Sequence, residues 1–238
     1  ARMIQRLLKE TKGQLVSFNG GTKDNAIPRE CEASLIYESD EEAAKAEELA
    51  CELAETYAEE LTPAEPDFSC EISCETNRTA EAIPQDAAKE FICAMRLAPN
   101  GIQKRNIKMD GFVVVSLNLG VVRTEEDRIV MIFSPRSSVA SLQEDTKERL
   151  NTLAETFGFT VSHSSEYPGW SFKEDSPVRE ICKESYKELF GEDLKIEAIH
   201  AGLECGLFSD AIKGLDAIAI GPTIANCHTP DEYLTLDS

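Results

Sequence analysis

Apolar side chains recur at two spacings along the first two-thirds of the chain. Met3, Ile4, Leu7 and Leu8 fall three and four apart, which puts them on one side of a helix. Alternation then takes over. Residues 14–18 read as a strand, Asn19-Gly20-Gly21-Thr22-Lys23-Asp24 as a turn, and residues 26–37 as a second strand. In that second strand Cys31, Ala33, Leu35 and Tyr37 share one face, and Glu30, Glu32 and Ser34 the other. Asp40 is the expected cap of a helix reaching about Glu60, with Ala46, Leu49, Ala50, Leu53, Ala54 and Tyr57 as its apolar side. Pro63 and Pro66 mark a connection. Residues 68–75 read as a strand, and a helix over 84–97 stops before Pro99-Asn100-Gly101.

The order then returns. Residues 112–122 form a β-branched strand, Thr124-Glu125-Glu126-Asp127 a turn, 128–134 a second strand, and 139–157 a capped helix built on Val139, Leu142, Leu150, Leu153 and Phe157. Ser17-Phe18-Asn19-Gly20-Gly21 echoes Ser116-Leu117-Asn118-Leu119-Gly120. Two strand-turn-strand-helix units predict an α+β layer, an antiparallel sheet with helices on one face. Composition changes at Tyr167-Pro168-Gly169-Trp170. A helix from Pro177 to Phe190, a strand at 195–199 and an apolar strand at 215–220 follow, the last expected to be buried on both faces. Helix alternating with strand predicts an α/β segment completing a mostly parallel sheet whose other strands lie elsewhere. The expected division is therefore 1–168 and 169–238. Because the chain opens on helical periodicity, it is expected to be a piece of a longer polypeptide.

Charge changes the picture next. Lys plus Arg is 24 and Asp plus Glu 44, a net −20. That argues against a grip on nucleic-acid phosphates and against anionic membrane surfaces. No run approaches the ~18 apolar residues of a membrane span. Residues 38–60 hold ten acidic side chains and one Lys, read as a solvated helix face. The eight cysteines are expected to be reduced thiols of a cytoplasmic protein. Cys70 and Cys74 share a face of their strand but lack two further zinc ligands nearby. Neither HExxH, GxSxG nor GxxxxGK[ST] occurs.

Candidate chemistry gathers in loops after strands. One is 199–206, with His200, Gly202 and Glu204; the other is 221–232, with His228, Asp231 and Glu232. His228 is a candidate metal ligand, or a surface imidazole. His200 is a ligand or a packed loop residue, and Glu204 an acid/base group or a carboxylate at a helix start. His163 has no visible partner. Arg136, after the strand at 128–134, can hold a carboxylate with two parallel hydrogen bonds, and Asn25 can donate to a carbonyl or carboxylate. Either could equally serve local turn bonding.

His200-Ala-Gly-Leu-Glu-Cys-Gly-Leu-Phe208, Ile220-Gly-Pro-Thr-Ile224 and His228-Thr-Pro-Asp-Glu232 resemble the C-terminal catalytic segment of the Xaa-His dipeptidases, the aminoacyl-histidine or carnosinase-like enzymes. Phe18-Asn-Gly-Gly-Thr22, Asn25-Ala-Ile-Pro-Arg29, Pro99-Asn-Gly101, Ser116-Leu-Asn-Leu-Gly-Val121 and Tyr167-Pro-Gly-Trp170 resemble their lid domain. The resemblance implies a lid over 1–168 and the C-terminal part of a catalytic domain over 169–238. It implies a hydrolase in which two zinc ions activate water against the peptide bond of a dipeptide, with a glutamate as general base. It implies His228 as a zinc ligand, Asn25 and Arg136 as substrate-holding residues, and Gly202 as a glycine whose backbone approaches the substrate. The family's other ligands and its general base belong to an N-terminal half that is not in this sequence. Alone, the chain is thus expected to bind no catalytic zinc and cleave no dipeptide. Its expected partners are the dipeptide, that missing half and a second copy in a homodimer. The competing reading is a non-catalytic binding or dimerisation module that keeps the lid fold.

Overall fold

The strand β1 (Gln14–Gly20) contains one residue too many for simple alternation. Its antiparallel pairing with β2 (Cys31–Ile36) shifts register between Leu15 and Ser17. A bulge of this kind lets two residues three apart face the same way, and Leu15 and Phe18 are both buried, 0 % and 4 % exposed. Burying each contributes roughly 1.5–3 kcal/mol. Phe18 meets Phe91 edge to face, ring centroids 5.6 Å apart. The computed structural model describes residues 1–76, 79–107, 111–164, 168–198, 204–226 and 231–236.

The remaining elements in chain order are α1 (Arg2–Glu10), α2 (Asp40–Leu61), α3 (Gln85–Leu97), β3 (Gly101–Asn106), β4 (Phe112–Thr124), β5 (Ile129–Ser137), α4 (Ala140–Thr156), α5 (Pro177–Phe190), α6 (Glu204–Ala211), β6 (Ile224–Ala225) and β7 (Tyr233–Leu234). β4 is the spine of a five-stranded antiparallel sheet. β5 runs along one edge of it, and β3 and then β1 share the other, with β2 outside β1. Ser17–Gly20 and Ser116–Gly120, the echoed stretches, lie in the neighbouring strands β1 and β4, which meet at Gly20 and Val122.

One face of the sheet is covered by helices. Ile4 and Leu7 of α1, Ala46 and Ala50 of α2, and Ala88, Phe91 and Ile92 of α3 close over Leu15, Phe18 and Val122. α4 lies beside α3 against β4 and β5, burying Thr146 and Ala154. Arg2 joins α1 to α2: its guanidinium donates to Glu60 Oε2 and Oε1 at 2.6 and 3.1 Å and lies 4.3 Å from the centroid of the Tyr57 ring.

Several expectations need correction. Residues 26–30 are an exposed loop, not strand; β2 begins at Cys31. The cap of α2 is Ser39, whose hydroxyl accepts from the Glu42 amide at 3.3 Å, and Asp40 stands one residue inside, favourable to the helix dipole. α4 has no side-chain cap at Val139. Residues 68–75 form no strand because no neighbouring strand bonds to them; Cys70 and Cys74 are exposed and only Ile72 reaches the core. β3 was not expected, since Gln103, Lys104 and Arg105 leave it no apolar alternation.

Residues 195–198 and 215–220 also belong to no ladder, and Ile220 is 77 % exposed rather than buried on both faces. Extended segments become strands only against neighbours, and among the described residues after 167 the only ladder is the two-residue pairing of β6 with β7. α5 forms as predicted, with Pro177 in its first turn and Ser176 Oγ accepting from the Arg179 amide at 3.2 Å. No described helix is long and apolar enough to cross a membrane.

Candidate functional site

Two of the sequence-predicted residues come together on the sheet face away from the helices. In β4 the buried Val115 and Leu117 point toward the helices, so by alternation Ser116 and Asn118 point to the open side. β5 matches them in register: Ser116 faces Arg136 and Asn118 faces Ser134. Arg136 therefore lies inside β5, not after it. Pro135 hides the strand's true length, but β5 pairs only with β4, and an edge strand tolerates a proline. The Arg136 guanidinium is exposed and bonds to no other described residue.

Asn25 reaches the same face through the loop after β1. Asn118 Nδ2 donates to the carbonyl oxygens of Asp24 at 2.8 Å and Ala26 at 2.7 Å, so it holds the peptide on either side of Asn25. Glycines make the approach close enough. A Cβ on Gly120 would stand 2.3 Å from the Asp24 carbonyl oxygen, and one on Gly21 would stand 1.9 Å from the Gly120 carbonyl oxygen, with Gly21 at φ +71°. Arg136 is one same-face step from the Asn118–Ser134 pair, about 7 Å along the strand. The side-chain amide of Asn25 is exposed and bonds to no other described residue. An uncommitted amide and an uncommitted guanidinium on one open surface can hold a carbonyl and a carboxylate of one small ligand.

The chain returns to the end of β5 after α4. Gly169 packs so tightly on the end of β5 that a Cβ there would lie 2.6 Å from the Ser137 carbonyl oxygen, and Ser171 Oγ donates to the Ser138 carbonyl. Beyond it opens a cleft of about 690 Å³, lined by Phe112, Trp170, Phe172 and Arg179 and by the extended segments 194–198 and 215–220. Arg179 is committed: it lies 4.7 Å from the centroid of the Phe172 ring and donates to the Lys173 and Glu174 carbonyls. Asp216 ties the second segment to the start of α5. Its Oδ2 accepts from the Val178 amide at 3.0 Å, and Lys173 Nζ stands 3.6 Å from Oδ1. The Val178 N–H, with help from Ser176 and Lys173, holds the Asp216 carboxyl below the ordinary aspartate pKa.

The first of the two loops that the sequence singled out is tied to the segment before the second. Glu204 opens α6, the helix-start role, and Cys205 Sγ contacts the Ile218 carbonyl oxygen at 3.8 Å, setting α6 against the 215–220 segment. Asn226, at φ 56°, donates from Nδ2 to the Asp231 carbonyl at 3.3 Å beside the β6–β7 pairing. His228, Gly202 and His200 lie outside the described residues. His163 does have a partner, Asn151 Oδ1 at 2.9 Å from Nε2. Among the described residues no three His, Cys, Asp or Glu side chains converge as a metal site. Sequence reasoning missed Asn118; the echoed Ser-x-Asn in two paired strands was the signal that could have found it.

Comparison with known proteins decides the lineage. The model of peptidase family M20/M25/M40 matches residues 21–238. The chain belongs to that family. Within the M20/M25/M40 peptidases, it is 33 % identical over 241 residues to the cytosol non-specific dipeptidase of Escherichia coli (strain K12), a match covering 100 % of this chain and 48 % of that protein. The crystal structure of aminoacylhistidine dipeptidase from Vibrio alginolyticus superposes with a TM-score of 0.81 at 33 % identity, over 99 % of this chain and 48 % of that one. The chain thus spans about half the length of both M20 relatives, and its mixed fold of helices and antiparallel sheet is shared with the second.

Proposed function

We propose that this chain is the substrate-holding part of a metal-dependent dipeptidase. The observation that carries the reading is the juxtaposition of Asn25 and Arg136 on the open face of the sheet, with neither polar head committed to another described residue. A dipeptide offers a carboxylate for the guanidinium and a peptide carbonyl for the amide, at a separation of a few ångströms. Residues 1–168 act as a lid and 169–238 as the C-terminal part of the catalytic domain, where the segments 195–198 and 215–220 join a mostly parallel sheet completed by the other half of the protein. The absence of any buried apolar side chain after Ala154 among the described residues supports a docking surface there.

The remaining assignments follow from the family reading. His228 supplies one ligand to a pair of zinc ions, which when bound activate the attacking water; the general base and the other ligands come from the half outside this chain. The backbone at Gly202 approaches the substrate. The substrates are dipeptides ending in histidine, the protein works in the cytoplasm, and it associates as a homodimer. Alone, the chain binds no catalytic zinc and turns over nothing.

The test is made in the full-length protein. Dipeptides with C-terminal histidine are hydrolysed, a chelator abolishes the activity and zinc restores it. Amidating the substrate carboxylate raises KM sharply in the parent protein and little in Arg136→Ala. Equal handling of acid and amide by the parent protein overturns the carboxylate role, and stoichiometric zinc with turnover in the isolated chain overturns the division of labour.

A further inference from the structure

The loop carrying Asn25 and the strand carrying Arg136 come from sequence positions more than a hundred residues apart. Their relative placement must therefore be set by something that touches both. β4 does so with one face of its own side chains. Ser116 stands opposite Arg136, and two residues on, Asn118 stands opposite Ser134 and grips the Asp24 and Ala26 carbonyls. Both hydrogen bonds run from one amide nitrogen, so they fix the peptide of Asn25 at two points, upstream and downstream. The closeness at Gly120 and Gly21 prevents the loop from riding higher on the strand.

We propose that Asn118 is a positioning residue: it sets the distance between the Asn25 amide and the Arg136 guanidinium, and so the length of ligand the pair can span. This rests on the substrate-holding reading above. Asn118 itself has both amide hydrogens committed to the loop, and it acts on the ligand only through Asn25. The physical content is preorganisation: with the loop tied down, the ligand does not have to order it on binding. Removing the tie weakens binding of ligand and transition state together, which appears in KM and not in kcat.

The experiment is a double-mutant cycle in the full-length protein, with Asn118→Ala, Asn25→Ala and both together. Asn118→Asp is the isosteric second variant, which keeps the volume and removes the donor. Far-ultraviolet dichroism checks folding. Expected for Asn118→Ala, or for Asn118→Asp should the alanine variant not fold, is a rise in KM of about tenfold with kcat nearly unchanged. Once Asn25 is alanine, the same change should add less than about twofold, since coupled residues are not additive. Full additivity, or an unchanged KM in the Asn118 variants, overturns the positioning role while leaving Asn25 and Arg136 as anchors. An unchanged KM in Asn25→Ala overturns the anchor reading and this inference with it.

Discussion

The carbonyl oxygen of Asp24 lies 2.3 Å from the place a Cβ would occupy on Gly120. The loop therefore touches the strand at backbone level, and a methyl group at 120 must push it away. Gly120→Ala is expected to cost about 1–3 kcal/mol, the usual range for overpacking. Gly21→Ala should cost more, because its Cβ would lie 1.9 Å from the Gly120 carbonyl oxygen at a left-handed φ of +71°. Urea unfolding midpoints of the two variants check both the size and the order.

Arg136 should be replaceable by nothing. A planar fork binds a carboxylate through two parallel bonds, and a lysine ammonium cannot reproduce that geometry. Arg136→Ala and Arg136→Lys are both expected to lower kcat/KM for dipeptides by about 10–100-fold, through KM. Steady-state kinetics of the full-length protein decide it; a lysine variant near the parent rate would mean the residue serves only as a charge.

How much of this was legible beforehand depends on what each residue needs as a neighbour. The helices α1, α2, α3, α4 and α5 carry their own signal, because an amphipathic period is local. The two echoed units were readable for the same reason. β3 was not: Gln103-Lys104-Arg105 looks polar, and only the long unpaired edge of β4 makes it a strand. The opposite error occurred at 215–220, where Leu215-Asp216-Ala217-Ile218-Ala219-Ile220 has strand chemistry but no ladder partner among the described residues. Asn25 and Arg136 were individually visible as donors. Their meeting on one face required the register of β4 against β5 and the two bonds of Asn118, which no local pattern encodes.

The cap of α2 separates two adjacent residues. Ser39→Ala removes the hydroxyl that accepts from the Glu42 amide and should cost about 1 kcal/mol. Asp40→Asn loses only a charge near the helix start, at most about 1 kcal/mol and less in salt. Thermal unfolding at low and high ionic strength distinguishes them: the Asp40 effect fades with salt and the Ser39 effect does not.

Asp216 gives the C-terminal part an acid-sensitive joint. Its carboxyl is held below the ordinary aspartate pKa first of all by the Val178 amide. A depressed carboxylate contributes stability that is full above the unfolded-state pKa and is lost as pH falls through the folded one. Acidification through and below the ordinary aspartate range should therefore free the 215–220 segment from the start of α5. Trp170, the single tryptophan, lines the same cleft and reports the change by fluorescence. Asp216→Asn should remove this step from the titration; an identical curve in the variant would assign it to another carboxylate.

The last buried apolar side chain among the described residues is Ala154. Beyond it the polypeptide has hydrogen-bonded helices but little interior, so its amides are shielded only by local bonding. Deuterium should enter α5 and α6 through partial opening, long before it reaches the central strand β4, whose exchange requires the whole sheet to come apart. The molecule would then melt in two stages, the region after Ala154 first and the sheet second.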